Sequence, residues 1–353
     1  MKSIYTILLF AVLSLSSAYV SAQQDTVKAA ILTDVEQEAE RLYNEGISNF
    51  KAGKLEMALA LFTQAIDKKE GFAEAYLNRA MVKMELGKNS DAVSDLNIAA
   101  GNPETKATAL FQRGRCYQLL GDGMKAEGDY TAAIALDASN EKALYYRGVI
   151  KFENKDYKGA IEDFDKAIAI NKSFAYAYND RGSAKRMLED FTGAISDYQK
   201  AGMIDNSLSF VHNNLGSSFR KKGDFDKAIL AFDQAISVDG SNYLAYNNRG
   251  SAKYDKGDFK GAIEDFNKAI ELKKDYAFAY NNRAAAKFKM EDLKGCVEDC
   301  SKAISIDGNY AYAYLNRGNA KELLRDDAGA CADWKKAQEL GATGITTYTT
   351  NCK

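Results

Sequence analysis

Residues Tyr243 to Tyr276 read YLAYNNRGSAKYDKGDFKGAIEDFNKAIELKKDY. The first part, AYNNRGSAKYDK, has the spacing of an amphipathic helix, and Gly257 and Asp258 then interrupt the pattern. The second part, FKGAIEDFNKAIEL, again places apolar residues at intervals of 3.6. The stretch therefore predicts two helices joined by a tight turn.

The same pattern returns every 34 residues, which makes nine repeats without an insertion or deletion. Gly250 has counterparts at Gly46, Ala80, Gly114, Gly148, Gly182, Gly216, Ala284 and Gly318. Ala269 recurs as Ala65, Ala99, Ala133, Ala167, Ala201, Ala235, Ala303 and Ala337. Small residues at both places let two helices approach closely. Positions within a repeat are numbered from 1 to 34, with Tyr243 as position 1 of the seventh repeat.

A helix–turn–helix period of 34 residues with these small anchors resembles the tetratricopeptide repeat. The resemblance covers roughly residues 39 to 340, and an aromatic or leucine at position 4 and a large apolar residue at position 24 agree with it in most repeats. Two features depart from it: no repeat has proline at position 32, and position 7 is mostly arginine instead of leucine. The resemblance implies an all-α fold, a right-handed superhelical solenoid of nine repeats whose concave groove binds protein segments.

The ends of the chain predict an exported protein. Residues 1–22 have a lysine, an apolar run and small residues before a cleavage point after Ala22, which is typical of a signal peptide. An uncleaved membrane anchor is the alternative. We expect the mature protein to have no membrane span and to lie in the periplasm, outside the cell or on the cell envelope. Residues 23–38 predict a leading helix that caps the first repeat, and residues 341–353 form a polar tail.

Five cysteines in an exported chain raise the question of disulfides. Cys296 and Cys300 replace core residues one helical turn apart, which favours two buried thiols, and Cys116 is expected to be free. Cys331 lies on the last repeat helix and Cys352 near the C-terminus. The sequence leaves open whether these two form a disulfide that ties the tail over the last helix.

Little in the sequence supports catalysis, and we predict that the protein is not an enzyme. The single histidine, His212, stands where other repeats have tyrosine or leucine, so a packing role is favoured. We expect no catalytic, cofactor or metal site. The net charge of −2 and the lack of a basic cluster argue against nucleic acid as a partner.

Two pairs of positions vary together across the nine repeats. Arginine at position 7 and aspartate at position 23 occur in the same seven repeats, and both are absent where Leu215 and Ala231 stand. This predicts Arg–Asp pairs inside a repeat, among them Arg249 with Asp265, Arg181 with Asp197 and Arg283 with Asp299. Lysine at position 11 mostly accompanies glycine at position 19, which predicts lysine stems lying over glycine.

The resemblance implies that the first helix of each repeat lines the concave binding surface. Early repeats offer apolar groups there, such as Leu77 and Phe111, and later repeats offer amides and hydroxyls. We predict that a ladder of asparagines binds the backbone of a peptide: Asn213, Asn214, Asn247, Asn248, Asn281, Asn282 and Asn316. The alternative is that these amides bond within the scaffold.

The function predicted from the sequence is an exported, non-enzymatic scaffold that binds a peptide or protein segment in the groove. The alternative is a structural component of a cell-envelope complex that assembles through its ends or its convex face. The sequence leaves the partner and the oligomeric state open.

Overall fold

The computed structural model describes residues 33–344 and residue 352. All regular structure in these residues is α-helix, which confirms the all-α prediction. The first helix, α1, is described over residues 33–51. The others are α2 (Leu55–Lys68), α3 (Ala73–Glu85), α4 (Asn89–Ala99), α5 (Pro103–Leu119), α6 (Gly123–Leu136), α7 (Glu141–Glu153), α8 (Tyr157–Ile170), α9 (Ala175–Met187), α10 (Phe191–Ile204), α11 (Ser209–Lys221), α12 (Phe225–Val238), α13 (Tyr243–Lys256), α14 (Phe259–Leu272), α15 (Ala277–Lys289), α16 (Leu293–Ile306), α17 (Ala311–Leu323) and α18 (Asp327–Glu339).

Each predicted repeat is one pair of helices, odd-numbered first and even-numbered second. The turn between them needs a left-handed residue at position 15 in every repeat, with φ between 63° and 91°. Five repeats use glycine there, which adopts this conformation without strain, and the other four use Lys155, Glu189, Glu291 and Arg325. In seven repeats the next residue is an aspartate that caps the second helix, as Asp258 does by accepting a hydrogen bond from Gly261 N.

The described residues form two compact bodies, an N-terminal body up to Ile150 and a C-terminal body from Lys151 onward. Within each body, helices that are adjacent in sequence pack against each other, and first helices of successive repeats also touch, as α11 does with α13. The core of each body consists of alanines, some larger aliphatic residues and, in seven of the nine repeats, a large ring at position 24. Those rings include Phe62 and Tyr130 in the N-terminal body and Tyr198, Phe232 and Phe266 in the C-terminal body.

Glycine at position 8 makes room for the ring at position 24. A Cβ on Gly250 would lie 2.8 Å from Cε1 of Phe266, and the same crowding occurs at Gly46, Gly114, Gly182, Gly216 and Gly318. Where the facing residue is Leu96 or Cys300, position 8 is alanine. The predicted close approach of the two helices is therefore present, and the small residue is matched to the ring it faces.

The predicted features at the two ends fall partly outside the described residues. The predicted signal peptide and residues 23–32 of the predicted leading helix lie outside them. Residues 33–38 form the start of α1. At the other end, Cys331 and Cys352 form a disulfide with their Cα atoms 5.5 Å apart. Cys116, Cys296 and Cys300 are free and buried, as predicted. No helix within residues 33–344 has the length and hydropathy that crossing a bilayer requires.

Candidate functional site

The arginines at position 7 are held inside the scaffold. Arg249 donates from Nε and Nη2 to the two carboxylate oxygens of Asp265, at 2.9 and 2.6 Å. The predicted partners Arg181 with Asp197 and Arg283 with Asp299 have the same bidentate geometry. Asp265 is only 4 % exposed. Burial lowers the pKa of Arg249, but the hydrogen bonds with Asp265 and Asp233 outweigh it and leave the pKa raised.

Each of these arginines also reaches the preceding repeat, which the sequence reasoning missed. Arg249 Nη1 donates to Asp233 Oδ1 at 2.5 Å, and the equivalent acceptor always lies sixteen residues before the arginine. The other acceptors are Thr63, Asn97, Thr131, Asp165, Asn267 and Ser301. The sequence does contain a signal for this contact, since the residue sixteen places before each of the seven arginines is short and polar. One arginine thus joins two helices of its own repeat to the repeat before it.

Lysine at position 11 completes the cluster. The stem of Lys185 does lie over Gly193, as predicted, with its Cδ 3.0 Å from where a Cβ would stand. Its ammonium group, however, bonds Asp197 Oδ2 at 2.8 Å, so one aspartate serves two cations. The same arrangement places Lys253 on Asp265 at 2.9 Å. These clusters belong to the scaffold, because their carboxylates are buried and each is already bound by two cations.

The asparagine ladder bonds to itself from one repeat to the next. The Nδ2 of position 6 donates to the Oδ1 of position 5 in the preceding repeat, as Asn282 does to Asn247 at 3.0 Å. The other three rungs join Asn214 to Asn179, Asn248 to Asn213, and Asn316 to Asn281, at 2.9 to 3.1 Å. Asn247 and Asn281 are buried, whereas the position-6 amides are half-buried. The amides of the ladder therefore bond within the scaffold, as the alternative has it, and peptide binding by their remaining atoms stays a prediction. Asn248 and Asn282 still reach the surface.

Two cavities open beside Asn248 and Asn282 on the face formed by the first helices of the C-terminal body. The first, of about 200 Å³, is lined by Arg186, Ser217, Arg220, Lys221, Phe232 and Asn248. The second, of about 150 Å³, is lined by Arg220, Ser251, Tyr254, Asp255, Phe266, Asn282 and Ala285. They are the same site one repeat apart, because Ser217, Phe232 and Asn248 correspond to Ser251, Phe266 and Asn282.

Small residues at position 9 open these cavities. In the first four repeats position 9 is Ile47, Met81, Arg115 and Val149, whereas the fifth to eighth repeats have Ser183, Ser217, Ser251 and Ala285. In the fifth repeat the hydroxyl of Tyr198 reaches Ser183 at 3.1 Å. Phe232 and Phe266 have no hydroxyl to place there. A serine above a phenylalanine is the combination that both cavities share.

A row of exposed apolar side chains lies on the same helices at position 2. It consists of Tyr176, Phe210, Leu244, Phe278 and Tyr312, with exposed fractions from 39 % to 56 %. In the first four repeats this position is Glu40, Glu74, Thr108 and Lys142. The C-terminal body therefore presents cavities, amides and apolar side chains on one set of helices.

In the N-terminal body, two of the apolar residues predicted for the binding surface are buried instead. Leu77 and Phe111 are 9 % and 7 % exposed and belong to the core. Tyr43 packs against the rings of Phe62 and Phe72. Large residues at position 5 fill the space between helices in these repeats, so that expectation was wrong for Leu77 and Phe111. No cluster of metal-ligating side chains occurs among the residues that the structure describes.

Comparisons with known proteins agree with this architecture. The family model described as TPR repeat matches residues 216–257 and 250–291. Models described as tetratricopeptide repeat match residues 141–174 and 43–105. No curated protein matches the chain at a significant level.

Solved structures share the fold at low sequence identity. A tetratricopeptide repeat protein from Parabacteroides merdae is 19 % identical, with 69 % of this chain and 97 % of that chain covered and a TM-score of 0.57. The C-terminal part of a repeat-containing protein from Cytophaga hutchinsonii is 21 % identical, covers 70 % and 98 %, and has a TM-score of 0.53. The Pseudomonas aeruginosa protein pilF is 17 % identical, covers 61 % and 96 %, and has a TM-score of 0.52.

Paired helices with a 34-residue period and an exposed first-helix face define a helical-repeat protein. The chain belongs to the tetratricopeptide repeat family. This fold generally serves as a non-enzymatic scaffold for interactions between proteins.

Proposed function

We propose that this chain is an exported, non-enzymatic scaffold that binds a segment of a protein partner on the first-helix face of the C-terminal body. The two equivalent cavities carry the proposal, because they are concave, have an aromatic floor and place a half-buried amide at the surface. The leader sequence at residues 1–22 supports export.

The surroundings of the cavities suit a segment of polypeptide. The apolar row at position 2 offers area to bury, and the remaining amide atoms of Asn248 and Asn282 offer hydrogen bonds. Packed helices hold both features in place before a partner arrives, which lowers the entropic cost of binding.

Site-specific photocrosslinking tests the proposal. A photoreactive residue is placed at Ser217 or Ser251 and, as a matched control, at Leu230, which is exposed on the second helix of the sixth repeat. The proposal predicts crosslinks to a partner from the two serine positions and none from Leu230. Crosslinks from Leu230 alone would favour the structural component that assembles through its outer face and would overturn the proposal.

A further inference from the structure

The two cavities have the same floor and walls but different rims. The rim of the first carries Arg186, Arg220 and Lys221, and no acidic residue lines it. At the second, the corresponding residues are Arg220, Tyr254 and Asp255. Arg220 Nε bonds Asp255 Oδ2 at 2.6 Å, so the charges of the second rim cancel. The chain thus contains a cationic cavity beside a neutral copy of itself.

Arg186 lies beside the first cavity and has no carboxylate partner among the described residues. Its Nε is inaccessible and has no hydrogen-bond partner among the described residues. Burial raises the pKa of Tyr198, and hydrogen bonds with Ser183 and Arg186 oppose this rise, so the guanidinium group lies beside the Tyr198 hydroxyl. The charge of this guanidinium group is therefore not balanced by an acidic side chain at the cavity.

The other two cations also retain donors. Arg220 uses its Nε for Asp255, and its two terminal nitrogens have no partner within the described residues. Lys221 is exposed on the last turn of α11. Three cations therefore surround a cavity whose floor is the ring of Phe232. A carboxylate on a short apolar stem matches both features, since guanidinium groups bind carboxylates through several donors at once.

We infer that the first cavity binds a carboxylate of the partner segment and that the second takes an uncharged group. The inference rests on the proposed function and adds the chemistry of the ligand. An aspartate or glutamate side chain and a free C-terminus would both supply the carboxylate.

Selection from two random heptapeptide libraries, one with free C-termini and one amidated, tests this on the full chain. Acidic residues should be enriched in the amidated library if a side chain binds, and only the free library should yield binders if the C-terminus does. The double variant Arg186→Gln with Lys221→Gln should bind the selected peptides about tenfold to a hundredfold more weakly, as lost charged hydrogen bonds would require.

Two control variants separate this result from a general effect of charge. Lys166→Gln with Lys200→Gln removes two exposed lysines from second helices and should leave affinity within about twofold, since distant surface charges are screened. Tyr254→Leu alters only the second rim and should keep the preference for acidic peptides. Thermal melts of all variants confirm that they remain folded.

The outcomes distinguish the two claims. Selected peptides without acidic residues, whose binding the Arg186 and Lys221 changes do not affect, would overturn the carboxylate site and leave the proposed function standing. A selection without binders, or binders that Ser217→Met and Ser251→Met do not weaken, would overturn the proposed function itself.

Discussion

Charged side chains stabilise the fold of this protein because each buried aspartate is paired with an arginine and, in most repeats, a lysine. Asp265 accepts two hydrogen bonds from Arg249 and one from Lys253 while almost fully buried. If either the carboxylate or its cations were removed, the remaining charge would be left without a partner inside the protein, which is strongly destabilising. The sixth repeat shows the apolar solution, with Leu215 and Ala231 at the same two positions.

Removing one partner from a cluster should cost more than removing both. Asp265→Leu should lower the free energy of unfolding by about 3 to 5 kcal/mol, because two half-buried cations lose a buried carboxylate. Adding Arg249→Leu should recover most of this loss, since Lys253 can turn toward solvent. Chemical denaturation measures both variants, and a double variant no more stable than the single one would contradict the pairing.

The asparagine ladder is expected to stabilise the stack of repeats. Changing Asn214, Asn248 and Asn282 to alanine removes three hydrogen-bond donors. The side-chain oxygens that accept from them, on Asn179, Asn213 and Asn247, then lose these hydrogen bonds. We expect a loss of roughly 2 to 5 kcal/mol in unfolding free energy, since an unsatisfied buried acceptor costs about 1 to 3 kcal/mol. Asn309→Ala, on an exposed loop, is the control. An unchanged melting temperature in the triple variant would show that the rungs contribute nothing.

These residues also show what sequence reasoning can and cannot reach. The Arg–Asp pairs were predictable because both partners change together and each is a single residue type. The acceptors sixteen residues before each arginine include Asp, Asn, Thr and Ser, which conceals their common role. The amide ladder was visible, but an amide both donates and accepts, so spacing alone does not tell a ligand from a neighbouring repeat.

Helix pairs depend on matching the small residue of one helix to the ring of the other. Gly250→Ala would bring a methyl group within 3.0 Å of the Phe266 ring. Overpacking of this kind costs about 1 to 3 kcal/mol, which exceeds the gain of about 1 kcal/mol from replacing a helical glycine. We expect a net loss of stability that Phe266→Leu relieves, as Ala80 with Leu96 already illustrates. Thermal unfolding of the single and double variants would measure it, and an alanine variant as stable as the original would refute the steric match.

The last helix pair is further held by the disulfide between Cys331 and Cys352. Closing a loop of this size is worth about 3 kcal/mol in the chain-entropy account. Cys352→Ser should therefore raise hydrogen exchange in α17 and α18 and leave α9 to α12 unchanged, because repeats stabilise chiefly their neighbours. Exchange that rises equally in all of these helices would speak against a local role.

At the scale of the whole molecule, periodicity made the fold predictable and the binding face only partly so. Nine repeats in one register require no knowledge of contacts, since the apolar and small positions recur by themselves. The cavities depend on two positions together, a serine at position 9 above a phenylalanine at position 24. Neither residue is unusual alone, and the space appears only when the helices are packed.

The affinity of a variant in which both cavities are filled tests most directly whether this scaffold binds its partner on the first-helix face. Ser217→Met with Ser251→Met places at position 9 the residue type that the second repeat has there, Met81. In the first repeat a large apolar residue at position 9, Ile47, packs with Phe62 at position 24. Affinity for the tightest peptide selected from the random libraries is determined by calorimetry, with Leu230→Met as the control. The account predicts at least a tenfold weaker affinity at an unchanged melting temperature. Equal affinity in the filled variant would contradict it.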